Sequence, residues 1–301
     1  MCFPLEIGGG NGFTGLLTGC KLNIPCVDAD LMGRAYPTHH QTIPVVVSDK
    51  PVYSPTVMSN GLTTSIYAIT QNDFYVEKML RASLAEIGCT VGVVNAPIKG
   101  KDMDEWSIHN SLSLAWRIGR AVNISRQNIE IDKLPENIIA SFGGPECGKL
   151  IFEGKIIGVK RKLFKGHVYG EVIIEDLQDK SKIMKIPFKN ENILASVYDL
   201  NKFKDRELSN IGDDDLGEVV CSVPDLITVN DADTGEAIGT PEYRYGLIVF
   251  VLALSPDKKW IASEKALKIG GPKAFGLDNL EYKPIGVHKK PVSVIEEYGV
   301  K

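Results

Sequence analysis

The rhythm of apolar and polar positions changes near residue 150. Between Asp73 and Ile87, the apolar residues Val76, Met79, Leu80, Leu84 and Ile87 recur at three- and four-residue steps, the spacing that gathers one helix face. Thr70 and Asp73 stand ahead of this run at capping-box spacing, with Asp in place of the usual Glu, and Gly88 closes it. A second helical stretch, NSLSLAWRIGRAV, is expected to turn Leu112, Ala115, Trp116, Gly119 and Val122 inward, and PENIIASFGG reads as a short helix. FPLEI reads as a short extended piece, GFTGLLTGCKL as a first helix, IPCVDAD as a strand ending in acids and CTVGVVNAPI as a buried strand. Strands and helices in alternation predict an α/β fold, a mostly parallel sheet with flanking helices, over residues 1–149.

From LIFEGKIIGVKRKLFKGHVYGEVIIEDL onward, short β-rich runs are separated by glycine and charged turns. DLITVNDADTGEAIG reads as strand, turn, strand, and YGLIVFVLALS as a central strand. A mainly β second domain is therefore expected over 150–285, with 286–301 as a tail. Lys160, Arg161, Lys162 and Lys165 are expected on a solvated hairpin face, and Asn190, Glu191 and Asn192 at turns or edges. No internal repeat is visible.

Composition changes this picture little. The 301 residues carry 34 basic and 38 acidic side chains, a net charge of −4, without the basic footprint of a nucleic-acid binder. The longest apolar run, LIVFVLAL, is far shorter than the ~20 residues of a membrane-spanning helix. MCFPLEIGGG lacks a basic leader and a long apolar segment, so a cytoplasmic protein is expected. The six cysteines form no C-x-x-C pair and are expected to be reduced.

Candidate chemistry concentrates at the start. EIGGGNGFTG places five glycines in its last eight positions, where the chain must take φ > 0 or admit close approach to its backbone. Gly10, Gly12 and Gly15 satisfy G-x-G-x-x-G, and Asp30 follows about twenty residues on, so a nucleotide-binding oxidoreductase is one reading. The preceding segment, with Pro4 and Glu6, is a poor match for the buried strand that this fingerprint needs, and NAD is not expected. A structural turn and a cradle for another ligand are the alternatives. In VDADLMGRAYP, Asp28 and Asp30 are expected on one strand face. Two close carboxylates there need a shared proton, a cation such as Arg34, or a divalent metal. His39 and His40 are expected in a solvated loop, not as metal ligands.

Taken in order, EIGGGNG, VDADLMGRAYP, SLAWRIGRA, GKIIGVKRKLFKGHVYGEV, IPFKNENI, SVPDLI and IGGPKAFG resemble the S-methyl-thiohydantoin desulfurase family. The resemblance is closest to the carboxyl-terminal part of fungal proteins in which this unit is fused to a hydantoinase/oxoprolinase-like half. It runs from Glu6 to about Glu297. Relatives carry a further glycine-rich segment and strand upstream, so the chain looks amino-terminally short, and many bacterial relatives have a glutamate where Thr38 stands. The resemblance implies a hydrolase that directs water to a carbon of a five-membered cyclic ureide or thioureide ring. From the chemistry this requires, Asp28 and Asp30 are candidate bases or metal ligands. Glu6 and Arg34 are candidates to orient substrate or supply charge, and Gly8, Gly9, Gly10 and Asn11 to cradle the ring. The partners expected are a heterocyclic substrate and a hydantoinase/oxoprolinase-like subunit, with neither nucleic acid nor membrane, and a homo-oligomeric state. A non-catalytic partner or truncated inactive fragment is the remaining alternative.

Overall fold

A computed structural model describes residues 1–88, 90–203 and 216–299; Cys89 lies outside the described residues. The chain divides into two compact units, Met1–Ser111 with Leu163–Val168, and Leu112–Lys162 with Tyr169–Lys301.

In the first unit, a 3-10 turn at Gly9–Phe13 runs into α1 (Thr14–Leu22), followed by β1 (Ala29–Asp30) and α2 (Ile43–Val47). Next come β2 (Thr56–Ser59), β3 (Thr64–Tyr67), α3 (Asp73–Glu86), β4 (Gly92–Val94), α4 (Met103–Trp106) and β5 (Ile108–His109). The mostly parallel sheet expected here does not form. β1 pairs with β5 antiparallel, Asp30 opposite Ile108, and β3-β2-β4 make a separate antiparallel sheet. The link from β2 to β3 is only residues 60–63, whereas parallel neighbours need a crossover of roughly a dozen residues. FPLEI and IPCVDAD do not extend into full strands either: each contains a proline, Pro4 or Pro25, that cannot donate to a ladder. CTVGVVNAPI yields only the exposed strand β4, not a buried one.

Helix α3 forms where its apolar spacing placed it, with Val76 and Leu80 packed in a core with Tyr53 and Met58, while Met79 is exposed. Its cap differs from the capping-box reading. Asn72 accepts from the Phe74 N–H at 2.8 Å, and the Asp73 carboxylate instead accepts from the N–H groups of Val52 and Tyr53.

The second unit holds α5 (Ser111–Gln127, starting on the last residue of the first unit's main segment) and α6 (Leu134–Phe142). Its large sheet is built from β6 (Gly148–Phe164), β7 (His167–Asp176), β8 (Lys182–Lys189), β9 (Glu191–Asn192), β10 (Leu194–Asp199), β11 (Glu218–Ser222), β12 (Leu226–Asp231) and β13 (Ile248–Leu254). Two helices follow, α7 (Glu264–Gly270) and α8 (Val294–Tyr298). The inward face of α5 carries Leu114, Ile118 and Val122. Trp116 is 47% exposed and Ala115 and Gly119 are exposed too, because buried Ser111, Ser113 and Ser125 share the inner face and an apolar-only reading rotates the stripe.

The sheet order is β11-β10-β8-β7-β6-β13-β12, with β9 alongside β8. β13 is central, as its unbroken apolar run foretells, between β6 and β12. The edge strands β11 and β12 are joined by Val223–Asp225 alone. A flat path of seven strands would be roughly 29 Å across at ~4.8 Å per strand, more than that link can reach at ~3.5 Å per residue. The sheet must therefore curl until its edges approach, and Asn192 of β9 donates to the Ile227 carbonyl of β12 at 3.0 Å.

Candidate functional site

Asp30 organises the glycine turn. Its Oδ2 accepts three main-chain N–H groups, from Ile7 at 3.0 Å, Met32 at 3.1 Å and Gly33 at 2.7 Å. The segment DLMG makes this possible: the carboxylate reaches forward over its own turn, and Gly33 takes φ +69° where a side chain would press on Ile108. Asp30 is fully buried, and its Oδ1 has no hydrogen-bond partner. Burial pushes the carboxyl up to about 6, against a weaker opposing pull from the three N–H groups and the Ser111 hydroxyl, which itself lacks a bond of good geometry. The repulsion expected from Asp28 is not what raises it. Asp28 lies outside β1, half-buried, and its carbonyl accepts from the Asn110 N–H at 2.8 Å.

Above this tie sits the turn itself. Glu6 is half-buried and its Oε1 accepts from the Asn11 amide at 2.6 Å, while Thr14 Oγ1 donates to the Asn11 carbonyl at 2.7 Å. The glycines divide by purpose. A Cβ on Gly8 would lie 2.7 Å from the Ala35 Cβ, on Gly12 2.4 Å from the Ile7 carbonyl oxygen, and on Gly15 2.7 Å from Pro4 Cδ. These three let the chain pack on itself. Only Gly9, at φ +54°, and Gly10 have open space where a side chain would stand. The dinucleotide reading loses its setting, since Gly12 and Gly15 face their own chain and no parallel sheet surrounds them among the described residues. Arg34 is buried, donates from Nε to the Ala35 carbonyl at 3.1 Å and lies 4.7 Å from the Tyr36 ring centre.

A second polar group in this unit was not foreseen. His39, expected in a solvated loop, is packed so that burial pulls it down to about 4, although an edge of the residue still meets solvent. Its Nε2 is 2.9 Å from Asn95 Oδ1, an acceptor, so that nitrogen carries the proton of a neutral ring. The His39 N–H donates to Glu77 Oε2 at 2.7 Å, and Arg81 donates to Glu77 Oε1 and to the Pro37 carbonyl. His167 Nε2 lies 3.1 Å from that carbonyl and 3.8 Å from Glu77 Oε1. The signal was present in the sequence: Glu77 and Arg81, one turn apart, flank Val76 and Leu80 on the face that the apolar spacing turns inward.

Neither group fits a resident divalent cation. Oδ2 of Asp30 is already committed to three N–H groups, and among the described residues no three His, Cys, Asp or Glu side chains gather as a metal set. Elsewhere, Asn190 sits in a turn at φ +56° and Asn192 is buried, bonded to Tyr243 and the Ile227 carbonyl. Arg161, on the exposed hairpin, donates to the carbonyls of Thr240 and Tyr243. No described helix is long and apolar enough to cross a membrane.

Comparison with known proteins places these features in a family. A family model described as S-Me-THD-like, N-terminal domain, matches residues 1–68, and one described as S-Me-THD-like, C-terminal domain, matches residues 71–285. No curated protein matches. Among solved structures, a crystal structure of a protein from Chromobacterium violaceum is similar at a TM-score of 0.68 and 17% identity, over 94% of this chain and 72% of that one. At that identity the likeness concerns the fold.

Proposed function

The chain belongs to the S-Me-THD-like family, and from that membership we propose that it is an enzyme hydrolysing a five-membered thiohydantoin or hydantoin-like ring. The observation that carries the assignment of the site is the pairing of Glu6 with Asn11, 2.6 Å apart, beside Gly9 and Gly10, whose open main chain admits a flat heterocycle.

In this reading Glu6 is the general base for water, its Oε1 held by the Asn11 amide and its Oε2 sheltered from bulk solvent within the turn. The water oxygen bonds to the ring carbon that bears sulfur, the carbon–sulfur bond breaks with its electron pair going to sulfur, and the sulfur leaves as a thiol after protonation. Main-chain N–H groups of the turn and the Asn11 amide face the ring's polar edge, where charge develops on nitrogen or oxygen. Arg34 and Asp28 orient substrate. Asp30 is a positioning residue, because both its oxygens are buried and one ties Ile7, Met32 and Gly33 under the turn.

The test is incubation of the full chain with an S-methyl-thiohydantoin, following thiol release against a protein-only blank that accounts for exposed Cys20. Thiol and hydantoin in equal amounts are expected. A chain that releases no thiol from the S-methyl substrate and opens no hydantoin ring would sink the proposal.

A further inference from the structure

The second unit contains a groove unconnected with any residue assigned above. Its cavity of ≈ 550 Å³ lies between α5, the end of α6 and the segment Lys289–Val292; a second hollow of ≈ 500 Å³ shares Trp116 and Arg120 with it. Both volumes suit a small organic molecule.

The charge of the groove runs against that of the chain. The molecule as a whole is at −4, yet the groove gathers Arg117, Arg120, Lys289 and Lys290 against Glu130 and Glu297. Both carboxylates are already engaged: Glu297 pairs with Arg117 and feels Arg120 at longer range, and Glu130 pairs with Lys133 at 2.9 Å. Lys289 Nζ donates to the Gly143 carbonyl at 3.3 Å. Arg120 and Lys290 form no salt bridge among the described residues. A local positive field on an acidic protein concentrates anions at one place instead of over the whole surface.

The walls supply the other half of the recognition. Trp116 keeps 47% of its surface exposed, with the Arg120 guanidinium 5.6 Å from its ring centre and the Tyr298 ring 5.9 Å away. Val292 is exposed as well. A half-exposed indole beside cations suits a flat apolar body that carries a negative group.

We propose that this groove is a binding site for a small organic anion with a flat apolar body, its ring against Trp116 and its charged group toward Arg120 and Lys290. The probe is 8-anilinonaphthalene-1-sulfonate, titrated by fluorescence into the full chain at low salt, with N-phenyl-1-naphthylamine as the same ring system without charge. The sulfonate is expected to saturate one site per chain and to bind at least about tenfold more tightly than the neutral ring, a difference that shrinks on adding salt. The double variant Arg120→Ala/Lys290→Ala is expected to lose at least about tenfold in affinity with its melting temperature unchanged, and Trp116→Ala to weaken both probes. Exposed Leu16 and Leu17 of α1 are one competing apolar surface among several. Equal binding of the neutral probe, or sulfonate binding that survives the double variant and falls with Leu16→Ser/Leu17→Ser, would overturn the proposal, as would the absence of saturable binding.

Discussion

Asp30 holds three N–H groups with one oxygen and leaves the other buried without a partner, which makes it the residue whose titration reports most directly on the fold. Its carboxyl in the folded chain, at about 6, lies above the ordinary 3.8, so between these values the folded state retains a proton that the unfolded state has released. Its contribution to stability is therefore largest below pH ~4, falls as pH rises through ~6 and is level above that. Buried neutral His39 acts in the opposite sense over the same range, so the readout is the denaturant midpoint of the native chain minus that of Asp30→Asn, a difference expected to fall from pH 4 to 7; parallel curves would refute the assignment. Glu6, half-buried in the same turn, is bonded to the Asn11 amide. Glu6→Gln keeps an acceptor for Asn11, and under the proposed chemistry turnover is expected to drop at least about tenfold, or ~1.4 kcal/mol of barrier, with an unchanged melting temperature. Undiminished turnover would remove Glu6 as the base. The sequence made both residues candidates, but the difference between a fully buried Asp30 and a half-buried Glu6, on which the proposed division of roles rests, is not encoded in composition.

Helix α1 inverts the usual relation between side-chain size and burial. Gly12, Gly15 and Gly19 of the turn and helix are buried, while Phe13, Leu16 and Leu17 are 46–63% exposed. Gly15→Ala adds a good helix former but sets its Cβ 2.7 Å from Pro4, and is expected to cost about 1–3 kcal/mol in urea unfolding. Leu17→Ala, on the exposed face, is expected to stay within about 0.5 kcal/mol. The reverse ranking would mean that α1 packs by its leucines. Periodicity placed α3 and β13 correctly because their faces are defined by apolar residues. It misplaced the inner face of α5, where three serines are buried, and the partners of the short strands, where two prolines break the ladders.

For the molecule as a whole, two compact units with separate hydrophobic clusters are expected to unfold in two calorimetric steps. Asp30→Ala is expected to lower only one step. Asp225→Ala, which removes the acceptor for Tyr282 Oη at 2.8 Å and the Ile285 N–H at 3.1 Å, is expected to lower only the other. A single transition shifted by both variants would show one cooperative body. By itself the sequence determined what depends on near neighbours: a glycine turn entering a helix, the apolar face of α3, the change to strands near residue 150 and the motifs that resemble the family. Only the tertiary structure decided that β1 pairs with β5 and β2 with β3 and β4 antiparallel, that the large sheet curls until β11 and β12 can be joined by three residues, and that His39, Glu77 and Arg81 share a packed polar group. The physical reason is range. Turn chemistry and helical spacing act over a few residues, whereas strand pairing and the burial of polar groups depend on contacts between positions far apart in the chain, which no local pattern records.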